Sequence, residues 1–543
     1  MAINVEDYNV IKEGKALVLV PKQETVFYNH IQQFNRDLSV MAVRAWLDQH
    51  NETRLKKRKI DENGETKTVE DKKFVRILEA LSASGLRALR YGHEVPQVSK
   101  IIANDLLPAA VESINRSAEY NDLLKLVQGH EGDAIAYMGS IPEKDRFHAV
   151  DLDPYGTAAP FLENAVRAVL DDGLLMVTCT DAGVLAGNGY PEKCYALYGG
   201  SNFGNTSFGL DTNHEAGLRL MLSTIASVAA KHKKAIEPVL SLSIDYYFRV
   251  FVRVKTSPAK VKQLASTMMM IHHCIGCGYR VEQRMGRNTG GKFQTPKAAS
   301  VGPNCPCCNS PFHVAGPMWG GNLHNHEFID KVLEINSSAD KQVYGTTERI
   351  KGMLMLAKQE LETPFYFSLG RLPSLFRAST IPITEFTRAV GNLGHDVSLT
   401  HAKANAIKTT APWEDILLIA ARWLRKGNEK RLQELKGSLD SAKNVEKRKQ
   451  KEETIKQLEA NPDGSSSLSE TLAGYRALQK LENDKREVDF DTNNEVSDKI
   501  HRLRKIKMLR YQESPANWGP KARPGKKQKT DKQDDKKGKE EKE

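Results

Sequence analysis

Two kinds of residue cluster in this chain could carry chemistry. The first is Asp-Leu-Asp-Pro-Tyr-Gly at 151–156. Asp153 offers a carboxylate, Pro154 a backbone carbonyl, and Tyr155 an aromatic face. An exocyclic amine on a nucleobase is a poor nucleophile because its lone pair is delocalised into the ring. Acceptors on its hydrogens localise that pair, and a flat side chain can stack on a base taken out of its helix. The second cluster is Cys274 and Cys277 followed by Cys305 and Cys308, two C-x-x-C pairs flanking a loop. Each pair can grip one edge of a tetrahedron, so the spacing predicts a structural zinc site of four thiolates with no position left for catalysis. Cys307 could replace Cys308, and His272, His273 or His313 could substitute. Cys179 and Cys194 stand apart and read as core or pocket-wall residues.

These residues need elements to hold them. Apolar runs at 74–81, 100–106, 147–153 and 173–181 read as strands, with helical patterns between them starting near Gly85, Pro108 and Ala158. Strict alternation of strand and helix predicts a parallel, doubly wound α/β sheet. Two further strands within 241–254 read as a hairpin that ends the sheet. Ligands of such sheets bind outside the carboxyl ends of the strands, and the candidate residues fall there. Gly85 lies in the turn after the first strand, where backbone passes close to a ligand. Asp105 ends the next strand, about 20 positions after the glycine turn, where a carboxylate can accept from ribose hydroxyls. Asp133 in Gly-Asp-Ala follows another strand candidate and could accept from an adenine amino group. Either aspartate could equally cap a helix. The Asp153 motif closes the strand at 147–153, the place where amino-directed methyltransferases carry a D/N-P-P-Y/F motif.

The 543 residues exceed one ordinary domain. No apolar run is long enough to span a bilayer, and the acidic start MAINVEDYNV reads neither as a secretory signal nor as a mitochondrial presequence. Lys plus Arg number 79 against 68 Asp plus Glu, a net charge of +11, which favours a polyanionic partner. The low-complexity tail from 521 onward holds ten basic and six acidic residues, so most of the surplus lies in the body of the chain.

With these motifs in place, the chain resembles the tRNA guanine-26 N2-dimethyltransferase family. The matching stretches are VFYNHIQQFNRDLSV at 26–40, SASGLRALR, ANDLLPAAVESINRSAEYN, Gly-Asp-Ala, DLDPYG, TCTDAGVLAGNGYPEKCYALYGG at 178–200, PMWGG at 317–321 and YQESPANWGP at 511–520. The resemblance covers most of 20–425 plus the block near 511. It implies S-adenosyl-L-methionine as cofactor, a class I Rossmann-like methyltransferase fold, tRNA as partner, and a pocket lined by Arg36, Arg87, Asp105, Asp133 and Ala134. Asp153 becomes the proton acceptor. The role of Arg36 comes from the resemblance alone.

The expected organisation is a methyltransferase domain over 1–258 with a loop insertion at 51–72, and a smaller α+β zinc-containing tRNA-binding domain over 259–424. A charged helical extension over 425–518 would pack back on that domain, and 519–543 would form a disordered basic tail. Residues 386–413 read as helix, turn, helix, a winged-helix-like RNA surface using Arg388, Lys403 and Lys408. Short basic runs such as KKRK at 56–59 suggest a nuclear location, with a mitochondrial pool as a second possibility. Two rival functions remain at this point: an amino methyltransferase acting on another RNA or on DNA, and a catalytically silent RNA-binding protein.

Overall fold

The computed structural model describes residues 4–22, 28–57, 72–187, 189–439, 445–465 and 468–505. An antiparallel hairpin, β1 (Tyr8–Glu13) and β2 (Ala16–Pro21), precedes a long helix, Gln33–Lys57. This helix runs through the first seven residues of the stretch expected to be a loop insertion at 51–72; positions 58–71 lie outside the described residues.

The central sheet holds β3 (Val75–Glu79), β4 (Val98–Asp105), β5 (Val127–Glu131), β6 (Phe147–Leu152), β7 (Val169–Cys179), β8 (Lys234–Ile244) and β9 (Tyr247–Thr256). Their order is β5-β4-β3-β6-β7-β9-β8. The first five strands are parallel, and β9 runs antiparallel between β7 and β8. This is the doubly wound methyltransferase sheet expected from the sequence, closed by the expected hairpin. Strands covered on both faces read as continuous apolar runs, which explains why 74–81 and 147–153 were legible. The helix expected from Ala158 is shorter than its pattern: after a single turn at Ala159–Phe161 it spans Leu162–Ala168, and β7 already begins at Val169.

Two cores cover the two faces of the sheet. One gathers Trp46, Leu89, Ile101 and Leu240 with Phe328, Ile329, Val332, Ile350, Met353 and Leu354. The apolar faces of the helices His326–Ser337 and Thr347–Gln359 therefore complete the core of the methyltransferase sheet, and packing does not stop at residue 258. The other core gathers Val150, Leu175, Val177 and the long helix Ser207–Lys231.

After β9 the chain forms a three-stranded sheet, β11-β10-β14, from β10 (Met268–Cys274), β11 (Arg280–Arg284) and β14 (Phe312–Trp319). A short exposed hairpin, β12 (Arg287–Thr289) and β13 (Lys292–Gln294), projects from it. A last small sheet orders as β15-β17-β16, from β15 (Phe367–Ser368), β16 (Val397–Leu399) and β17 (Ala406–Thr409). The stretch 386–413 is thus not helix, turn, helix. Helix Ile383–Asn392 and helix Trp413–Gly437 are separated by the β16–β17 hairpin. A third core joins these elements to the cysteines and to the helices Ala473–Leu481 and Glu495–Lys505.

Candidate active site and cysteine group

The carboxyl ends of β3, β4, β5 and β6 bring Glu79, Asp105, Asp133 and Asp153 to one edge of the sheet. Gly85 makes the turn after β3 with φ +73°, and a Cβ there would meet Ile114 Cγ1 at 2.9 Å, so only glycine fits without displacement. Asp105 braces this turn: its carboxylate accepts from the backbone N–H of Ala83 (2.8 Å) and of Leu107 (3.0 Å). Asp133 caps the helix Ala134–Ser140, accepting from Ala136 N–H at 2.8 Å, and Ala134 is the buried first residue of that helix. Beside Asp105, Leu106 and Leu107 are 65% and 62% exposed. Apolar surface of that extent next to two carboxylates suits the faces and edges of a nucleoside.

Asp153 is held from one side. Arg87 Nη2 and Asn35 Nδ2 (3.4 Å) both donate to its Oδ2. Asn35 is itself buried, with its second Nδ2 contact to Gln32 Oε1 at 3.3 Å. Pro154 is buried, whereas Tyr155 is 80% exposed.

Beneath Asp153 lies a buried charge nest. Arg87 also donates to Asp151 Oδ2 (3.2 Å) and to Ser39 Oγ (3.1 Å), and its Nε stands 3.5 Å from Glu79. Asp151 takes further bonds from Arg249 (2.7 Å) and from the Tyr91 hydroxyl (2.6 Å). Burial alone would raise the Asp151 carboxyl, but the guanidiniums of Arg249 and Arg87 outweigh it and hold it down at about 2. Glu79 goes the other way: burial pushes it up to about 8, which the nearby Arg87 only partly offsets. Two guanidiniums thus face Asp151 and Asp153, while burial holds Glu79 toward its neutral form.

The four cysteines converge. Cys274 Sγ lies 3.4 Å from Cys308 Sγ and 3.8 Å from Cys277 Sγ, and Cys277 lies 3.7 Å from Cys305. All four are buried and belong to one group. A tetrahedron with metal–sulfur bonds of ~2.3 Å has sulfur–sulfur edges of ~3.8 Å, so the spacing fits zinc. Cys307 lies outside that group, its sulfur 3.9 Å from Glu414, which favours Cys308 as the fourth ligand. His272, His273 and His313 are not in the group. Trp413 Nε1 donates to the Cys277 carbonyl (3.1 Å) and Arg476 Nε to that of Cys308 (2.7 Å), so later helices brace the loop.

The profile of the family described as N2,N2-dimethylguanosine tRNA methyltransferase matches residues 1–421. The Saccharomyces cerevisiae protein named tRNA (guanine(26)-N(2))-dimethyltransferase, mitochondrial, is 42% identical, over 96% of this chain and 93% of the relative. The chain belongs to this family. The Schizosaccharomyces pombe tRNA (guanine(26)-N(2))-dimethyltransferase is 40% identical over 95% and 92% of the two chains. Among solved structures, that of Trm1 from Pyrococcus horikoshii with S-adenosyl-L-methionine superposes with a TM-score of 0.60 at 24% identity. It covers 76% of this chain and 99% of that one, and it shows the shared fold.

Within this family member, Arg36 directly follows Asn35 on the helix Gln33–Lys57. It pairs with Glu13 (2.6 Å) and donates to the Asn29 carbonyl (2.9 Å), toward the N-terminal hairpin. The sequence reading missed Asn35, Glu79, Asp151 and Arg249. Asn35 lies in the Asn-Arg-Asp stretch at 35–37, which was the available signal. Lys408 does not belong to an RNA surface. It is 2% exposed and lies between Glu215 (3.3 Å) and Glu360 (3.1 Å). Arg388 donates to Asn493.

A second cluster, His324, Glu360 and His401, brings its possible ligand atoms within 4.8 Å of one another. The backbone N–H groups of Ser241 and Ser243 donate to His324 Nδ1 (3.4 Å) and His401 Nε2 (3.1 Å). In the neutral rings the nitrogens facing Glu360 then carry the protons, and a protonated nitrogen cannot ligate a metal. The cluster ties β8 to the β16–β17 region.

Proposed function

We propose that this chain methylates the exocyclic N2 of guanine 26 in tRNA, using S-adenosyl-L-methionine and giving N2-methyl- and then N2,N2-dimethylguanosine. The observation that carries the reading is the order of groups along the carboxyl edge. Acids placed for a nucleoside follow β4 and β5, and Asp153, the candidate proton acceptor, follows β6 beside them. S-adenosyl-L-methionine supplies an electrophilic methyl group. Asp105 and Asp133, with Gly85, Arg87, Ala134 and the Leu106–Leu107 surface, would hold it, and Arg36 would act from the hairpin side. Asp153 and the Pro154 carbonyl accept the amine hydrogens, localise the nitrogen lone pair and take up the proton released. Tyr155, exposed at the rim, stacks on the displaced base. Such positioning accounts for roughly 7–11 kcal/mol of barrier at its limit. The same carboxylate serves a second transfer, because the monomethylated nitrogen still carries one hydrogen.

Cys274, Cys277, Cys305 and Cys308 would hold one structural zinc. The division of labour we infer is functional rather than a break in packing. Residues 1–258 carry the chemistry. Residues 259–424 grip tRNA, and the described part of 425–518 supports them. The Saccharomyces relative is named as mitochondrial, and for this chain we infer a nuclear enzyme with a mitochondrial pool.

The test uses tRNA transcripts with G26 or A26 and purified full-length protein. Nucleoside mass spectrometry should find N2-methylated guanosine only in the G26 transcript. Methylation of the A26 transcript, or none of either, would overturn the assignment.

A further inference from the structure

Because the proposed cofactor side of the edge is built by β3, β4 and β5, the side of β7, β9 and β8 is left for the base and its neighbours. On that side lies a cavity of about 240 Å³. Its walls include Leu210 and His214 from the start of the helix Ser207–Lys231, Ser243 and Asp245 at the β8–β9 turn, Arg349, and Lys403 from the β16–β17 loop. Antiparallel pairing of β9 with β7 places that turn at the carboxyl end of β7, on the same edge as Asp153. At ~4.8 Å between strands, it lies about 10–14 Å along the sheet from β6.

The cavity is connected to the reaction centre. Arg349 pairs with Asp245 at 2.8 Å and lies over the Phe34 ring, 4.6 Å from its centroid. Phe34 precedes Asn35, which donates to Asp153. Lys403, which lines the cavity, shares its counter-ion with Arg371 beside it. Lys403 and Arg371 (2.9 Å) both bind the single carboxylate of Asp211, and each cation remains 39% exposed. One carboxylate offsets one of them and leaves a positive charge facing solvent. Behind it, His214 Nδ1 meets Ser243 Oγ at 2.9 Å, and Leu210 and Met353 supply apolar wall. A larger groove of about 540 Å³, lined by Arg284, Arg287 and Lys297, lies beside Ser266 after the end of β9, at the opposite edge of the sheet.

Resting on the function proposed above, we propose that the 240 Å³ cavity receives an RNA nucleotide flanking the methylated guanine, with its phosphate on Lys403 and Arg371. A cation pair at the mouth, polar groups behind it and apolar walls match phosphate, ribose and base in that order. The volume is on the scale of a single nucleotide.

The test compares full-length wild type with Lys403→Gln, Lys403→Arg and Leu210→Trp, using a tRNA transcript. Lys403→Gln leaves Asp211 paired with Arg371, so the fold is retained. It should raise Kd and KM for tRNA roughly tenfold, the loss expected of one charge-assisted contact. It should also lower the slope of log K against log salt by about one. The kcat at saturating tRNA and the cofactor affinity should not change. Lys403→Arg should restore tRNA affinity, and Leu210→Trp should weaken it by filling the cavity. Unchanged tRNA affinity and salt slope in Lys403→Gln, or a fall in kcat at unchanged affinity, would overturn the proposal. Wild type that binds tRNA without methylating it would overturn the function instead, and the subsite would still be judged by the binding arm.

Discussion

Around Arg87, two guanidiniums are buried with the carboxyl groups of Glu79 and Asp151, Asp153 lies partly exposed above them, and the chain itself supplies every charge. Around Cys274, four sulfurs are buried within 4.8 Å of one another, three of the pairs at 3.4–3.8 Å, a spacing that suits an ion at their centre. Buried charge is tolerated only when it is compensated, and the two regions differ in where the compensation comes from. The nest beneath Asp153 is complete in the folded chain, so Asp153 is oriented before any ligand arrives. The cysteine group is organised for an added cation, and its stability should depend on supply.

The comparison is sharpest at Asp153. Asp153→Ala should lower turnover on the order of 10²–10⁴-fold, measured in single-turnover assays, while cofactor affinity and Tm stay close to wild type because Arg87 keeps Asp151. Substantial residual turnover would break the assignment of this residue.

The reverse pattern is expected at the cysteines. Cys274→Ser with Cys277→Ser, or exhaustive chelation, should remove zinc by elemental analysis, lower Tm and weaken tRNA binding. Active, fully folded protein without metal would show that the sulfurs need no cation.

A smaller effect separates holding from reacting. Asn35→Ala should lower kcat about three- to tenfold, the worth of one hydrogen bond to a charged group, with cofactor affinity unchanged. The fall should lie in kcat and leave KM for tRNA unchanged, because Asn35 orients Asp153 through its Nδ2 donor. Asn35→Asp should not rescue, since it places a second carboxylate beside the first. A lower Tm with an unaltered kcat would leave Asn35 as packing only.

A further difference is in pH dependence, read on stability rather than on turnover. Glu79 is raised from 4.5 to about 8 in the folded protein. Its contribution to stability is therefore complete below pH 4.5 and is lost as pH rises through about 8, at up to ~1.4 kcal/mol per pH unit in between. Asp151, lowered to about 2, acts only at more acidic pH. Between pH 6 and 8, denaturation midpoints of wild type should fall more steeply than those of Glu79→Gln. Parallel curves would show that Glu79 is ionised.

What could be read from the sequence followed the range of the interactions. Asp105, Asp133 and Asp153 were legible because each sits at a strand end with a local signature. Asn35 was not, because it meets Asp153 across 118 positions. Lys408 was misplaced on the surface for the same reason: the acids that bury it come from the helix Ser207–Lys231 and from Glu360. The C-x-x-C pairs were read correctly as a group, but only geometry separated Cys308 from Cys307. The helices His326–Ser337 and Thr347–Gln359 carry ordinary amphipathic patterns, and nothing local says that their partner is a sheet that ended at Thr256.

The brace on the cysteine loop also has a consequence in time. A ribosome delivers Cys274 through Cys308 well before Trp413 and far before Arg476, the two side chains that hold the loop's carbonyls. Throughout that interval the loop lacks both clamps. Any cross-link that shapes it during synthesis has to come from a captured ion, with the clamps closing afterwards over a loop already set. Scarcity of metal would then show itself first in the yield of newly made protein, and only later, if at all, in the behaviour of molecules already folded.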